Sequence, residues 1–177
     1  MFVWVGINVE NQLKEVRRAV DGVFEKIDIS NVTCQLPLHI SLKISFNIEN
    51  ELFDSVLNDI LSIYDAQKPF EIDIKGVEKY ENIIWIRMYS NTDLEALATK
   101  LNLMLKEKYN LPLHEYDLDF IFHTTLFMDN DAEKINIAHT LLGDIALPET
   151  LVANTFVIGT SETGENGTYR VYKTVDK

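Results

Sequence analysis

Two hydrophobic periods alternate along the chain. Residues Phe2–Val9 are β-branched and aromatic and predict a strand. Between Glu10 and Ile27, apolar residues fall at Leu13, Val16, Val20, Val23 and Phe24, the spacing of a helix. Asn31–Leu38 reads as a loop with Pro37 near its end, and His39–Ile48 as a second strand. Helical spacing returns over Glu51–Asp65 through Leu52, Val56, Ile60 and Ile63. Phe70–Tyr80 and Ile83–Tyr89 predict two strands joined by a tight Glu81-Asn82 turn. Thr92 or Asp93 is placed to cap a helix running to Tyr109. A strand over Phe120–Met128, a short helix over Asp131–Leu142, and a hairpin of Thr155–Thr160 with Tyr169–Val175 complete the chain.

One unit is used twice in this order: a strand, a helix, then a strand that opens with His. No linker rich in Pro, Gly or Ser divides the chain. The expected fold is α+β and bilobal, with duplicated β-α-β units related by a pseudo-twofold around a central groove. Residues 1–177 would form one domain of two lobes. The first His belongs to the N-terminal half and the second to the C-terminal half. Grooves between lobes are where small ligands bind.

Composition narrows the function classes. The chain has 177 residues, 46% of them hydrophobic, which excludes disorder, coiled coils and collagen-like fibres. Its apolar runs are well short of the roughly 18 residues a membrane helix needs. No basic segment precedes an apolar one as in a secretory signal, so a cytoplasmic location is expected. With 16 Lys+Arg against 28 Asp+Glu, the net charge is −12. Proteins that track long nucleic acid neutralise many phosphates with a basic stripe, and none is visible here. An anionic substrate would therefore be small or held by a local basic patch, and a monomer is expected.

The chemistry lies in two tetrapeptides, His39-Ile40-Ser41-Leu42 and His123-Thr124-Thr125-Leu126. Each reads His, any residue, Ser or Thr, then Leu. Strand side chains alternate, so each motif projects an imidazole and a hydroxyl from one face. Two histidines near neutral pKa can divide general base and general acid roles. A hydroxyl beside each can donate to a non-bridging phosphate oxygen. A phosphodiester or cyclic phosphate needs both proton transfers, and no metal or cofactor is called for. Either motif alone is a weak signal, and the pair in equivalent places is a strong one.

The paired motif resembles the 2H phosphoesterase superfamily, also called 2′-5′ RNA ligase-like or LigT-like. The Phe2-Val3-Trp4-Val5 start, Gly76-Val77 before Ile83-Ile84-Trp85-Ile86, and the closing Ser161-Glu162 through Gly167-Thr168-Tyr169-Arg170 are similar to that family's flanking segments. The resemblance implies metal-independent phosphodiester cleavage on 2′,3′-cyclic phosphates, small cyclic nucleotides or 2′-5′ linkages. It implies His39 and His123 as the acid–base pair and Ser41 and Thr125 as phosphate holders. The chain departs from the family where many members carry Arg after the second motif and it has Phe127 and Met128. Lys43, two residues past Ser41, would supply the missing charge or else sit in solvent. Arg87, on the strand face of Trp85, would reach the groove, and Tyr169 would stack on a base or pack the hairpin.

Other candidates carry less. His114 and His139 would have to join His39 and His123 in a zinc site, without the close spacing of zinc patterns. Cys34 has no evident base and reads as a small packing residue. Glu115, Asp117 and Asp119 read as a solvated edge or a cation site. Besides the hydrolase, two readings stay open: a catalytically weak nucleotide- or RNA-binding module of the same fold, and an RNA 2′-5′ ligase.

Overall fold

The periodic segments fold where their apolar faces meet in one core. The computed structural model describes residues 1–30, 32–114, 117 and 120–177; Asn31, at the start of the predicted loop, lies outside them. The elements are β1 (Phe2–Asn8), α1 (Lys14–Phe24), β2 (His39–Asn47), α2 (Phe53–Ala66), β3 (Phe70–Tyr80), β4 (Ile83–Met88), α3 (Thr92–Tyr109), β5 (His123–Met128), α4 (Ala132–Leu142), β6 (Thr150–Ala153), β7 (Thr155–Ser161) and β8 (Arg170–Asp176). Among the described residues no helix is long and apolar enough to cross a membrane.

Helix ends differ from expectation for local reasons. α1 buries Val16, Val20 and Val23 on one face but starts four residues late. The amides of Gln12 and Leu13 turn back onto the Val9 carbonyl at 3.0 and 3.1 Å, and the Glu10 carboxylate is engaged elsewhere. Asn91, rather than Thr92 or Asp93, caps α3: its backbone is extended and its carboxamide accepts from the Leu94 amide at 2.8 Å. Two elements were unforeseen. Val32–Gln35 form a 3₁₀ turn inside the expected loop, and β6 adds a four-residue strand on β3. Four residues are too few for a two-residue period to stand out.

Two antiparallel four-stranded sheets result, in the orders β2-β1-β7-β8 and β5-β4-β3-β6. The repeat predicted from sequence is β1-α1-β2 and β4-α3-β5. In each copy the strand that opens with His lies at a sheet edge. The β7–β8 hairpin returns to the first sheet beside β1. Residues of both sheets share one hydrophobic cluster that includes Ile40, Leu42, Ile84, Ile86, Leu126 and Phe127. The two edge strands β2 and β5 approach each other across the molecule.

The copies also share an irregularity. From His39 and from His123, the strands run half-buried, buried, half-buried, buried, buried, half-buried. The register explains the doubled burial. Gly6 pairs with Ser41 and Val5 with Lys43, so one step on β1 spans two on β2. Trp85 pairs with Thr125 and Ile84 with Phe127, the same slip on β5. A bulge at Leu42 and another at Leu126 therefore reverse the alternation just beyond each motif.

Candidate active site

Cross-strand pairing sets what stands beside each motif. His39 pairs with Asn8 and Ser41 with Gly6; His123 pairs with Arg87 and Thr125 with Trp85. Directly opposed residues share a face. The imidazole and hydroxyl of each motif therefore lie on one surface, as the alternation predicts, with Ile40, Leu42, Thr124 and Leu126 buried on the other.

The two rings are held in the same way. Nδ1 of His39 lies 2.8 Å from the Pro37 carbonyl oxygen, and Nδ1 of His123 lies 2.7 Å from that of Ile121. A carbonyl can only accept, so Nδ1 carries the proton in both neutral rings. Nε2 is left with a free lone pair in both. An indole backs each ring: Trp4 on His39 at 4.3 Å between centroids, and Trp85 on His123 at 4.4 Å.

The indoles arrive from different registers. Trp85 stands diagonally across the β4–β5 ladder, whereas Trp4 must reach over Gly6. A Cβ on Gly6 would stand 2.7 Å from the Ile40 carbonyl oxygen and 3.2 Å from the Trp4 ring. A Cβ on Gly159 of β7 would fall 1.9 Å from Trp4 Nε1. Two glycines thus open the slot in which Trp4 lies.

Burial holds both histidines neutral. It pushes His39 down to about 4, helped by the charges of His123 and Arg17 and opposed by the bond to Pro37. His123 is also lowered, chiefly by burial and against its bond to Ile121. That the charge of one ring is felt at the other ties the two motifs into one electrostatic site.

A cavity of about 210 Å³ joins residues of both motifs: His39 and Thr125 line it with Gln35, Pro37, Met128 and Tyr169. Of the two expectations for Tyr169, the structure shows the hairpin contact. Its ring lines the cavity, and its hydroxyl bonds with Ser45 Oγ and with the Gly164 carbonyl at 3.4 Å, holding the hairpin. Arg87 stands directly across from His123 and donates to Glu78 Oε2 at 3.2 Å. With Ile121 and Phe122 it lines a second cavity of about 650 Å³.

Lys43 requires a correction. It neither shares the face of His39 and Ser41 nor sits in solvent. The bulge at Leu42 turns it inward, where it is 3% exposed. Its ammonium bonds Asp117 Oδ2 at 2.6 Å and Asn102 Oδ1 at 2.9 Å. The cation is spent inside the protein and is not available to a phosphate. Asp117 is accordingly a buried partner rather than a solvated edge; Glu115 and Asp119 lie outside the described residues.

Met128 lines the cavity where many relatives would place Arg, and Phe127 is fully buried against Phe24. His114 and His139 are exposed, and among the described residues no group of three His, Cys, Asp or Glu side chains is placed to hold a metal ion. Cys34 is exposed rather than packed, and its thiol is raised above the usual range, chiefly by desolvation. Sequence reasoning missed the indole backing, although a Trp in the strand before each motif was its visible signal. It also missed the Glu10–Arg17 pair, in which Arg17 Nε donates to Glu10 Oε1 at 3.0 Å.

Comparison with known proteins bears on the fold and the family. No curated protein sequence matches the chain. Among solved structures it is similar to TT0787 of Thermus thermophilus, at 16% identity over 99% of this chain and 97% of that one, with a TM-score of 0.65. It is also similar to Escherichia coli LigT in apo form, at 16% identity over 98% and 95%, TM-score 0.59. LigT complexed with 3′-AMP matches at 15% identity over 98% and 96%, TM-score 0.56. These likenesses establish a shared fold, the bilobal LigT-like α+β architecture expected from the repeat. The model of the 2′-5′ RNA ligase superfamily matches residues 33–162, a span that holds both His motifs, one whole sheet and two strands of the other, and on that match the chain belongs to that superfamily.

Proposed function

We propose that this protein is a metal-independent phosphodiesterase that uses His39 and His123 as general base and general acid. Its substrate would be a nucleotide or RNA-end phosphodiester, such as a 2′,3′-cyclic phosphate or a 2′-5′ linkage. The observation that carries this reading is the matched state of the two rings. Each gives its Nδ1 proton to a backbone carbonyl, leaves Nε2 for proton transfer, and has a hydroxyl beside it on the same face.

The hydrolysis of a cyclic phosphate would run as follows. One Nε2 takes a proton from water as its oxygen attacks phosphorus. The other ring, which takes up a proton when the anionic phosphate binds beside it, gives its Nε2 proton to the departing ribose oxygen as the P–O bond breaks. Ser41 and Thr125 donate to the non-bridging oxygens, where charge accumulates. The product is an opened monophosphate, and the two rings have exchanged protonation states until solvent restores them. Arg87, beside His123, would supply positive charge, and Tyr169 offers a ring face to a base. The net charge of −12 favours small substrates or RNA ends over long nucleic acid. That LigT has been crystallised with 3′-AMP supports a nucleotide ligand.

A second reading has its own observation. Met128 brings no charge to the cavity where many relatives carry Arg, which suits a module that binds nucleotides with little turnover. The test is a turnover assay with EDTA present, offering the four nucleoside 2′,3′-cyclic monophosphates and a short 2′-5′-linked oligoadenylate. The expected result is cleavage that His39→Ala and His123→Ala each abolish without unfolding the protein. Nucleotide binding without turnover would select the binding module. Full activity in either folded variant would sink the two-histidine mechanism.

A further inference from the structure

The backbone carbonyl that orients His39 belongs to a loop, and the structure shows what holds that loop. Pro37 lies between Leu36 and Leu38, and both neighbours are tied to one ion pair. Arg17 on α1 donates from Nη2 to the Leu36 carbonyl at 3.0 Å. Glu10 accepts from the Leu38 amide through Oε2 at 2.6 Å. The two side chains face each other fork to fork, with Arg17 Nε 3.0 Å from Glu10 Oε1 and Nη2 3.0 Å from Oε2. Arg17 is only 14% exposed, so water competes weakly for these bonds. Further along, Thr33 Oγ1 donates to the Leu126 carbonyl at 2.9 Å, fixing the same segment to the second motif's strand.

Among the described residues, the second histidine has no such pair. The carbonyl that holds His123 is on Ile121, and the next residue, Phe122, accepts from the Met88 amide at 2.9 Å. The Leu38 carbonyl likewise accepts from the Val9 amide at 2.9 Å, so this backbone bond is common to both motifs and the side-chain fork is an addition at the first. What the fork adds is a grip on the Leu36 carbonyl, two residues before the carbonyl that Val9 bonds.

We propose that Glu10 and Arg17 are positioning residues of the active site: by gripping Leu36 and Leu38 they hold the Pro37 carbonyl on Nδ1 of His39 and so keep Nε2 the reactive nitrogen. The inference rests on the acid–base reading of His39 for its kinetic consequence, but not for its structural one. A ring freed from Pro37 samples both tautomers and several orientations, and displacement of a catalytic group by about 1 Å can cost about a hundredfold in rate.

The test is the tautomer of His39, read from long-range ¹H–¹⁵N spectra of ¹⁵N-His-labelled protein at pH 7.5. The wild type should show the Nδ1–H tautomer at both His39 and His123. Arg17→Met and Glu10→Ala should each move the His39 signals toward a tautomer mixture and leave His123 unchanged. Glu10→Gln keeps an acceptor for Leu38 and should restore the wild-type spectrum. If Arg17→Met fails to fold, Arg17→Lys, which keeps the charge and loses the fork, should give an intermediate spectrum. On a cleavable nucleotide, kcat should fall by about ten- to a hundredfold with KM within about twofold. An unchanged His39 tautomer in folded Arg17→Met and Glu10→Ala would overturn the inference. A tautomer shift in a protein without turnover would uphold it while the proposed activity fell.

Discussion

The depression of His39 makes a prediction about stability that does not depend on any substrate. In the unfolded chain the imidazole titrates near 6.5, and in the folded protein burial holds it at about 4. Between these values the unfolded state binds a proton that the native state refuses. Stability from this group is therefore complete above pH 6.5 and is lost as pH falls toward 4. The linkage relation gives a loss of about 2 kcal/mol at pH 5 and about 3 kcal/mol at pH 4. The comparison protein is His39→Asn, whose side-chain amide can still donate to Pro37 but does not titrate. Urea unfolding of both proteins from pH 7.5 to pH 4 isolates the term, because His123 and the carboxylates titrate in both. The wild type should lose about 2 kcal/mol more than the variant by pH 5. Parallel stability curves would mean that His39 is solvated and titrates normally, and the enclosed, neutral ring described above would then be wrong.

Three other perturbations test separate parts of the structure. Gly159→Ala puts a methyl onto Trp4 Nε1; it should destabilise the fold by about 1–3 kcal/mol and change near-ultraviolet circular dichroism, and a protein unchanged in both would refute the slot. Thr124 is buried on the core face of β5 with its hydroxyl unpaired, so Thr124→Val should raise stability by about 1 kcal/mol in thermal or urea unfolding, and a loss would mean that the hydroxyl is bonded. Lys43→Met strands the Asp117 carboxylate, whose side chain is fully enclosed, and should cost about 3–5 kcal/mol. At a temperature where that variant is folded, KM for a cleaved nucleotide should stay within about twofold, and a large rise in KM would restore Lys43 to the phosphate.

Lys43 also marks where the sequence stops being readable. The two-residue period located both His strands; β2 begins at His39 as expected, whereas β5 begins at His123, three residues after the expected Phe120. Pairing of imidazole with hydroxyl on one face followed from the same period. What the period does not carry is a bulge. In the second motif the break is visible as two consecutive apolar residues, Leu126-Phe127. In the first the equivalent pair is Leu42-Lys43, and a polar residue at the inward position disguises the same bulge as continued alternation. The Lys is tolerated there because Asp117 and Asn102, distant in sequence, meet its charge. The second cation, Arg87, was placed correctly on the face of Trp85, since no bulge intervenes between them. Glu10 was read into a helix by its neighbours' spacing. Its side chain instead closes on Arg17 and Leu38, a contact set by the loop rather than by any local period.

The two halves reach the same imidazole geometry by unlike means. The bonds from Nδ1 differ by 0.1 Å, at 2.8 and 2.7 Å, and the indole distances by the same amount, at 4.3 and 4.4 Å. Yet one indole stands diagonally across a ladder and the other crosses a glycine from farther along its strand. Beside one carbonyl a buried fork is added to the backbone bond that both motifs make. At the register position beside His39 stands Asn8, and beside His123 stands Arg87. If the rings were only strand residues packed where they fell, unlike supports would leave unlike geometries. Equal geometry from unequal surroundings places the requirement on the rings themselves: fixed at Nδ1 and open at Nε2. The charge of Arg17 reaches His39 and Arg87 beside His123 is paired with Glu78, so on the proposed reading the two rings are not equivalent. A symmetric pair cannot tell attacking from departing oxygen, and a phosphodiester reaction needs that distinction made.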